Sequence, residues 1–254
     1  MRSLPLVLAL SSALTAALPA AAADFAGSEI FIPVISRVPG VNHTQWRSDL
    51  VISNRSDTAE TSVKIVYEPA GSAVPMQGSF FVPPHGTVTI PDALSEVFEL
   101  SQSFGTLWLA PTNDDAKITA HVRIYNVGTA EGEFGQVIQG LPIAQLGKTA
   151  WLNGLIGIRD NRTNIGIANP HNTNAHYSFS WYDKAGHLLG TRTAQTIEPW
   201  DVSLLNDIFT QLNIPPDDGV AIKITADVPI YAYASIVRND TGDAYTIIGN
   251  GSDQ

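Results

Sequence analysis

A short stretch of this chain returns at a fixed distance, and that distance constrains the fold more than any other feature. Arg162-Thr163-Asn164-Ile165-Gly166-Ile167-Ala168-Asn169 echoes Arg47-Ser48-Asp49-Leu50-Val51-Ile52-Ser53-Asn54, and 162 − 47 = 115. Carried on without a gap, the offset pairs Thr58 with Thr173, Tyr67 with Tyr182, Ala70-Gly71 with Ala185-Gly186, Pro84 with Pro199 and Asp92 with Asp207. That makes nine identities over the 46 positions from Arg47 to Asp92, which is modest, so the residue types decide the matter. Most of the matches are turn formers, whose positions answer to backbone dihedral demands. Shared turn spacing points to one supersecondary plan used twice.

Each copy has room for its own core. Residues 24–143 and 144–254 form halves of about 115 residues, a size at which a single domain is self-supporting. The chain has no cysteine, so its stability rests on burial and not on disulfides. Both halves are acidic: the first carries 6 Lys/Arg against 13 Asp/Glu, the second 7 against 11. No basic stretch appears, which argues against a nucleic-acid backbone as partner.

Residues 1–23 read as a signal peptide. Arg2 supplies the charge, Leu4 to Leu18 the short apolar run, and Ala20-Ala21-Ala22-Ala23 the small residues for cleavage. An exported protein without a membrane span is expected, because no other stretch reaches the roughly 18 apolar residues a spanning helix needs. The Ala-rich leader suggests a bacterial source.

The body of the chain reads as short strands broken by turns. Thr61 to Tyr67 alternates, with Val63, Ile65 and Tyr67 on one face. Pro33 places the strand from Ile30 at an edge or a bulge. Two helices are predicted at matching points, one after Asp92 and one over Asp201 to Leu212. The sum is an all-β chain of two tandem immunoglobulin-like β-sandwiches, each with one short inserted helix. A single barrel or one continuous sandwich is the rival architecture.

The pattern Phe31-Ile32-Pro33, Trp46-Arg47-Ser48-Asp49-Leu50, Asn54, Tyr67-x-Pro69-x-Gly71, the inserted helix and Arg123-x-Tyr125-Asn126 resembles exported bacterial proteins built of paired immunoglobulin-like repeats. The resemblance covers nearly all of the chain beyond the leader. It implies fold and compartment and lends no catalytic residue.

No residue pattern names an enzyme: there is no His-Glu-x-x-His, Gly-x-Ser-x-Gly or phosphate loop. No cofactor or metal is expected. His171 and His176 read as exposed turn residues, and Asp114-Asp115 and Asp217-Asp218 as solvated turns, with calcium the sharper alternative for either acidic pair. Tryptophans are the better lead, since an exposed aromatic can stack on a sugar or anchor a protein. Trp108, inside an apolar strand, reads as core.

In Tyr177-Ser178-Phe179-Ser180-Trp181-Tyr182 the aromatic face has the opposite parity to its counterpart 115 residues earlier. Either a bulge shifts the register, or Phe179 and Trp181 cover an outer surface, with Trp151 and Trp200 as companions. The reading is a non-catalytic binding protein with a glycan or protein partner, and Phe179, Trp181, Trp151 and Trp200 as candidate contacts. The alternatives are a structural spacer and a hydrolase with a dispersed acidic pair. Edge strands at Ile30 or near Ile248 are candidates for extending a neighbour's sheet.

Overall fold

A computed structural model describes residues 25–40, 44–72, 74–128 and 134–251. The expected signal peptide lies outside the described residues. The rest is all-β, in two sandwiches, each with one short helix.

The first sandwich runs β1 (Ile30–Pro39), β2 (Gln45–Asn54), β3 (Thr61–Pro69), β4 (Met76–Val82), β5 (Thr87–Ile90), α1 (Ala93–Phe98), β6 (Ser103–Pro111), β7 (Ile118–Asn126), β8 (Gly135–Gln139) and β9 (Leu141–Pro142). One layer is β4-β3-β6-β1 and the other β5-β2-β7-β8, with β1 crossing from the first to pair with β2. The second sandwich runs β10 (Gly147–Leu155), β11 (Asn161–Ala168), β12 (Ala175–Tyr182), β13 (Leu188–Ile197), β14 (Val202–Leu205), α2 (Ile208–Gln211), β15 (Val220–Arg238) and β16 (Ala244–Ile248). Its layers are β13-β12-β15-β10 and β14-β11-β15-β16, the same pairing order.

β15 does the work of two strands. Leu109 faces Ile65 and Val122 faces Leu50 in the first sandwich; Ile224 faces Phe179 and Ala234 faces Ile165 in the second. The offsets are 224 − 109 = 115 and 234 − 122 = 112. Three residues are missing from the connection, so the loop that separates β6 from β7 disappears and one 19-residue strand bends through both layers.

Alternation builds the cores as expected. Thr61, Val63, Ile65 and Tyr67 are buried on β3 while the residues between them are half-exposed. Tyr67 meets Phe98 of α1 at 5.3 Å, and burial pushes its hydroxyl up to about 12 although Ser103 lies at 2.6 Å. Both helices start alike. Asp49 accepts the backbone N–H of Asp92, Asn164 accepts that of Asp207, and both aspartates have positive φ (40° and 46°).

The second helix is shorter than its periodicity suggests. Val202 to Leu205 pair with β11, and only Ile208–Gln211 are helical. The unpaired side of β11 needs partners for its peptide groups, and this demand overrides the spacing of Leu204, Leu205 and Ile208. β1 is likewise no edge. Ile30 sits between Leu109 and Pro142, and Pro33 falls where the register shifts between Ile32 and Ile35. β1 therefore offers no free edge at Ile30.

The parity switch of β12 starts in a loop. Six residues separate Asn54 from Thr61 and five separate Asn169 from Ala175. The shorter loop advances β12 by one, so Ala175, Tyr177 and Phe179 point inward. The lost residue is regained past Trp181, where the β12–β13 register shifts.

The two sandwiches share apolar contacts. Ala168, Val202, Tyr231 and Tyr233 of the second are continuous with the core of the first. Tyr231 Oη donates to the Gln139 carbonyl at 2.6 Å, and burial carries its pKa far above the usual tyrosine range. Ser235 and Thr246 both donate to Gln136 Oε1, at 2.8 and 3.1 Å.

Candidate functional site

An open cleft of 330 Å³ lies where the second sandwich meets the outer face of β3 and β6. Glu29, Lys64, Val66, Glu68, Gln77, Trp108 and Trp200 line it. Strand register explains the set. Trp108 lies opposite Phe31 on one side and Val66 on the other, and Val66 lies opposite Gln77. Cross-strand partners share a face, so these side chains form one row, with Lys64 and Glu68 a step away along β3.

Trp200 arrives from the second sandwich. It follows Pro199 in a turn closed by Asp201 N–H to the Glu198 carbonyl, with φ +59°. A bulky residue there is strained, typically by about 1–3 kcal/mol. Neighbours hold it in place. Thr106 Oγ1 donates to the Trp200 carbonyl at 2.6 Å, and the indole packs against buried Phe31 with centroids 6.5 Å apart. The matching turn of the first sandwich carries His85, also at positive φ, with an exposed side chain.

The cleft is polar between its aromatic walls. Lys64 Nζ stands 5.8 Å from the Trp108 ring centroid, a cation–π distance. Burial holds the Glu68 carboxyl above the usual carboxylate range. Stacking walls with hydrogen-bonding groups around them suit a ligand that has apolar faces and a polar rim.

Of the four tryptophans and phenylalanines expected at a site, only Trp200 reaches this cleft. Phe179 is 1% exposed and belongs to the core of the second sandwich, because the loop deletion turns it inward; it is not a surface contact. Trp181 lies on the same inward row, half-exposed at its end, 5.8 Å from Phe179 and against Gly190. Trp151 is half-exposed on the outer face of β10, apart from these three. Trp108, expected in the core, faces the cleft. The signal was present in the sequence: Leu107 and Leu109 are the inward pair, so the residue between them points out.

The other candidates find ordinary partners. Asp217 and Asp218 share the Lys184 ammonium, each at 3.2 Å. Asp114 and Asp115 are exposed in a turn. His176 is exposed, whereas His171 is half-buried with Nε2 3.0 Å from the Pro229 carbonyl. Among the described residues no three His, Asp or Glu side chains gather as a metal site, and no helix is long and apolar enough to cross a membrane.

No family model matches the chain, and no curated protein does. Solved structures similar to it include Thermotoga maritima 1070, at 18% identity over 42% of this chain and 96% of that one, TM-score 0.36. The Anabaena sensory rhodopsin transducer aligns at 25% identity over 35% of this chain and 95% of that one, TM-score 0.28. A lectin from Pleurotus ostreatus, in its apo form, aligns at 11% identity over 90% of this chain and 77% of that one, TM-score 0.22. At these TM-scores none of them bears on the reading of the site.

Proposed function

We propose that this is an exported, non-catalytic binding protein whose inter-sandwich cleft takes a saccharide. One observation carries the reading: Trp108 and Trp200, from different sandwiches, wall one cleft together with Lys64, Glu68 and Gln77. A pyranose ring has apolar C–H faces and a rim of hydroxyls, which matches two indoles and a polar border. The resemblance to exported bacterial proteins of paired immunoglobulin-like repeats supports the export and the fold. In titrations against a neutral oligosaccharide panel, Trp108→Ala is expected to weaken binding about tenfold or more. Trp200→Gly, which relieves the positive φ while deleting the wall, is expected to do the same. If no saccharide binds, or both variants bind like the parent, the reading is wrong.

A second reading, a hydrolase acting in the same cleft, is favoured by Glu29 and Glu68 lining it together. A paired acid and base is what glycosidic cleavage needs. Glu68 retains its proton to a higher pH than an ordinary carboxyl, which suits the acid role. On this reading aryl glycosides release phenol, and the rate falls as pH rises past the Glu68 pKa, because the protonated form is lost. Release that Glu68→Gln and Glu29→Gln leave unchanged would exclude it.

A further inference from the structure

The outer face of β10, β15 and β12 holds a second aromatic platform that the cleft does not use. Trp151 lies opposite Lys223, Lys223 opposite Ser180, and Ser180 opposite Thr191, so the four share one face. Tyr182 lies one step along β12 on the same face, with its ring 5.8 Å from the Trp151 ring and tilted by 35°. Lys223 Nζ stands 5.6 Å from the Trp151 centroid. The Ser180 and Thr191 hydroxyls are 2.9 Å apart at the border.

This row occupies the place in the second sandwich that the cleft row occupies in the first. Trp151 pairs with Lys223 as Phe31 pairs with Trp108, and 223 − 108 = 115. On the first sandwich the row begins under a roof, since Phe31 is buried beneath Trp200 and Tyr231. On the second, Trp151, Tyr182 and Lys223 are half-exposed.

The charge on this face is informative. The chain has a net charge of −10, and Lys184 is held by two aspartates. Lys223 makes no ion pair among the described residues. It stands over an indole, with hydroxyls beside it and no carboxylate paired with it among the described residues. A cation kept unpaired beside a stacking surface is complementary to an anion that carries a flat apolar face.

We propose that Trp151, Tyr182 and Lys223 form a second binding site, selective for an acidic saccharide such as a uronate-containing oligosaccharide. The pyranose face stacks on Trp151 and Tyr182, the carboxylate pairs with Lys223, and ring hydroxyls reach Ser180 and Thr191. This site is separate from the cleft and does not depend on the reading given there.

The test is an equilibrium titration of the full chain with oligogalacturonate and with its neutral methyl ester, melting curves confirming that each variant folds. Lys223→Gln is expected to weaken oligogalacturonate binding about tenfold and to remove its salt dependence, with the ester unaffected. Trp151→Ala is expected to remove oligogalacturonate binding. Oligogalacturonate binding that survives Trp151→Ala and Lys223→Gln overturns the proposal, as does displacement by an oligoglutamate peptide of equal charge at equal concentration. Loss of binding in Trp108→Ala alone would move the acidic ligand to the cleft and equally overturn it.

Discussion

Replacing Asn169 with alanine is expected to cost about 3 kcal/mol, a drop in melting temperature of roughly 6–12 °C for a chain of this size. Asn169 is fully buried just after β11. Its Nδ2 donates to the carbonyls of Thr173, Ile197 and Glu198 at 2.7, 3.3 and 3.0 Å, and its Oδ1 accepts the His171 N–H at 3.1 Å. One side chain thus ties the β11–β12 loop to the end of β13. Alanine strands those groups away from water, and each buried unpaired group costs about 1–3 kcal/mol. Asn54 does the same in the first sandwich, donating to Ala59 and Val82 at 2.7 and 3.2 Å and accepting from Ser56 at 3.0 Å. Asn54→Ala should therefore match Asn169→Ala in size. Thermal melts of both variants check this. Parent-like curves would show that the two asparagines are incidental to stability.

Gly105→Ala is expected to be at least as severe, at about 3 kcal/mol, and to disturb the cleft as well. Gly105 lies in β6 between Ile35 of β1 and Pro69 of β3. A Cβ there would stand 2.0 Å from the Glu68 carbonyl oxygen and 2.9 Å from the Pro69 Cα, both backbone atoms. Backbone cannot swing aside as a side chain can, so β3 must separate from β6, and Glu68 lines the cleft. Gly71→Ala is the informative control. Its Cβ meets nothing within 4 Å, and only its φ of +70° is unfavourable, a penalty of about 1–2 kcal/mol. The expected order of melting temperatures is parent, Gly71→Ala, Gly105→Ala. The reverse order would mean that strand spacing at Gly105 is looser than the structure indicates.

These residues show how far the amino-acid order can be read. Asn54 and Asn169, Gly71 and Gly186, Asp92 and Asp207 were visible as a matched set because each answers a local demand, a turn dihedral or a polar bond across a few residues. The all-β class, two sandwiches and one short helix in each follow from those signals and from alternation. The parity of β12 was visible as an anomaly, but its cause, one residue fewer in a loop, emerges only when Phe179 is seen opposite Ile224.

The candidate site was less legible. Trp200 stood out by type, yet its partner Trp108 lies 92 residues away on another sandwich, and 200 − 108 leaves no periodicity to detect. Local sequence determined where the chain turns and which residues alternate, because those choices are made within a few residues of backbone, whereas the start of the second helix yielded to pairing with β11. The way the second sandwich leans on the first depends on Tyr231 and Trp200 packing around Phe31. That contact is long-range packing, and it decides that Trp108 and Trp200 wall one cleft while Trp151, on the second sandwich, stays half-exposed.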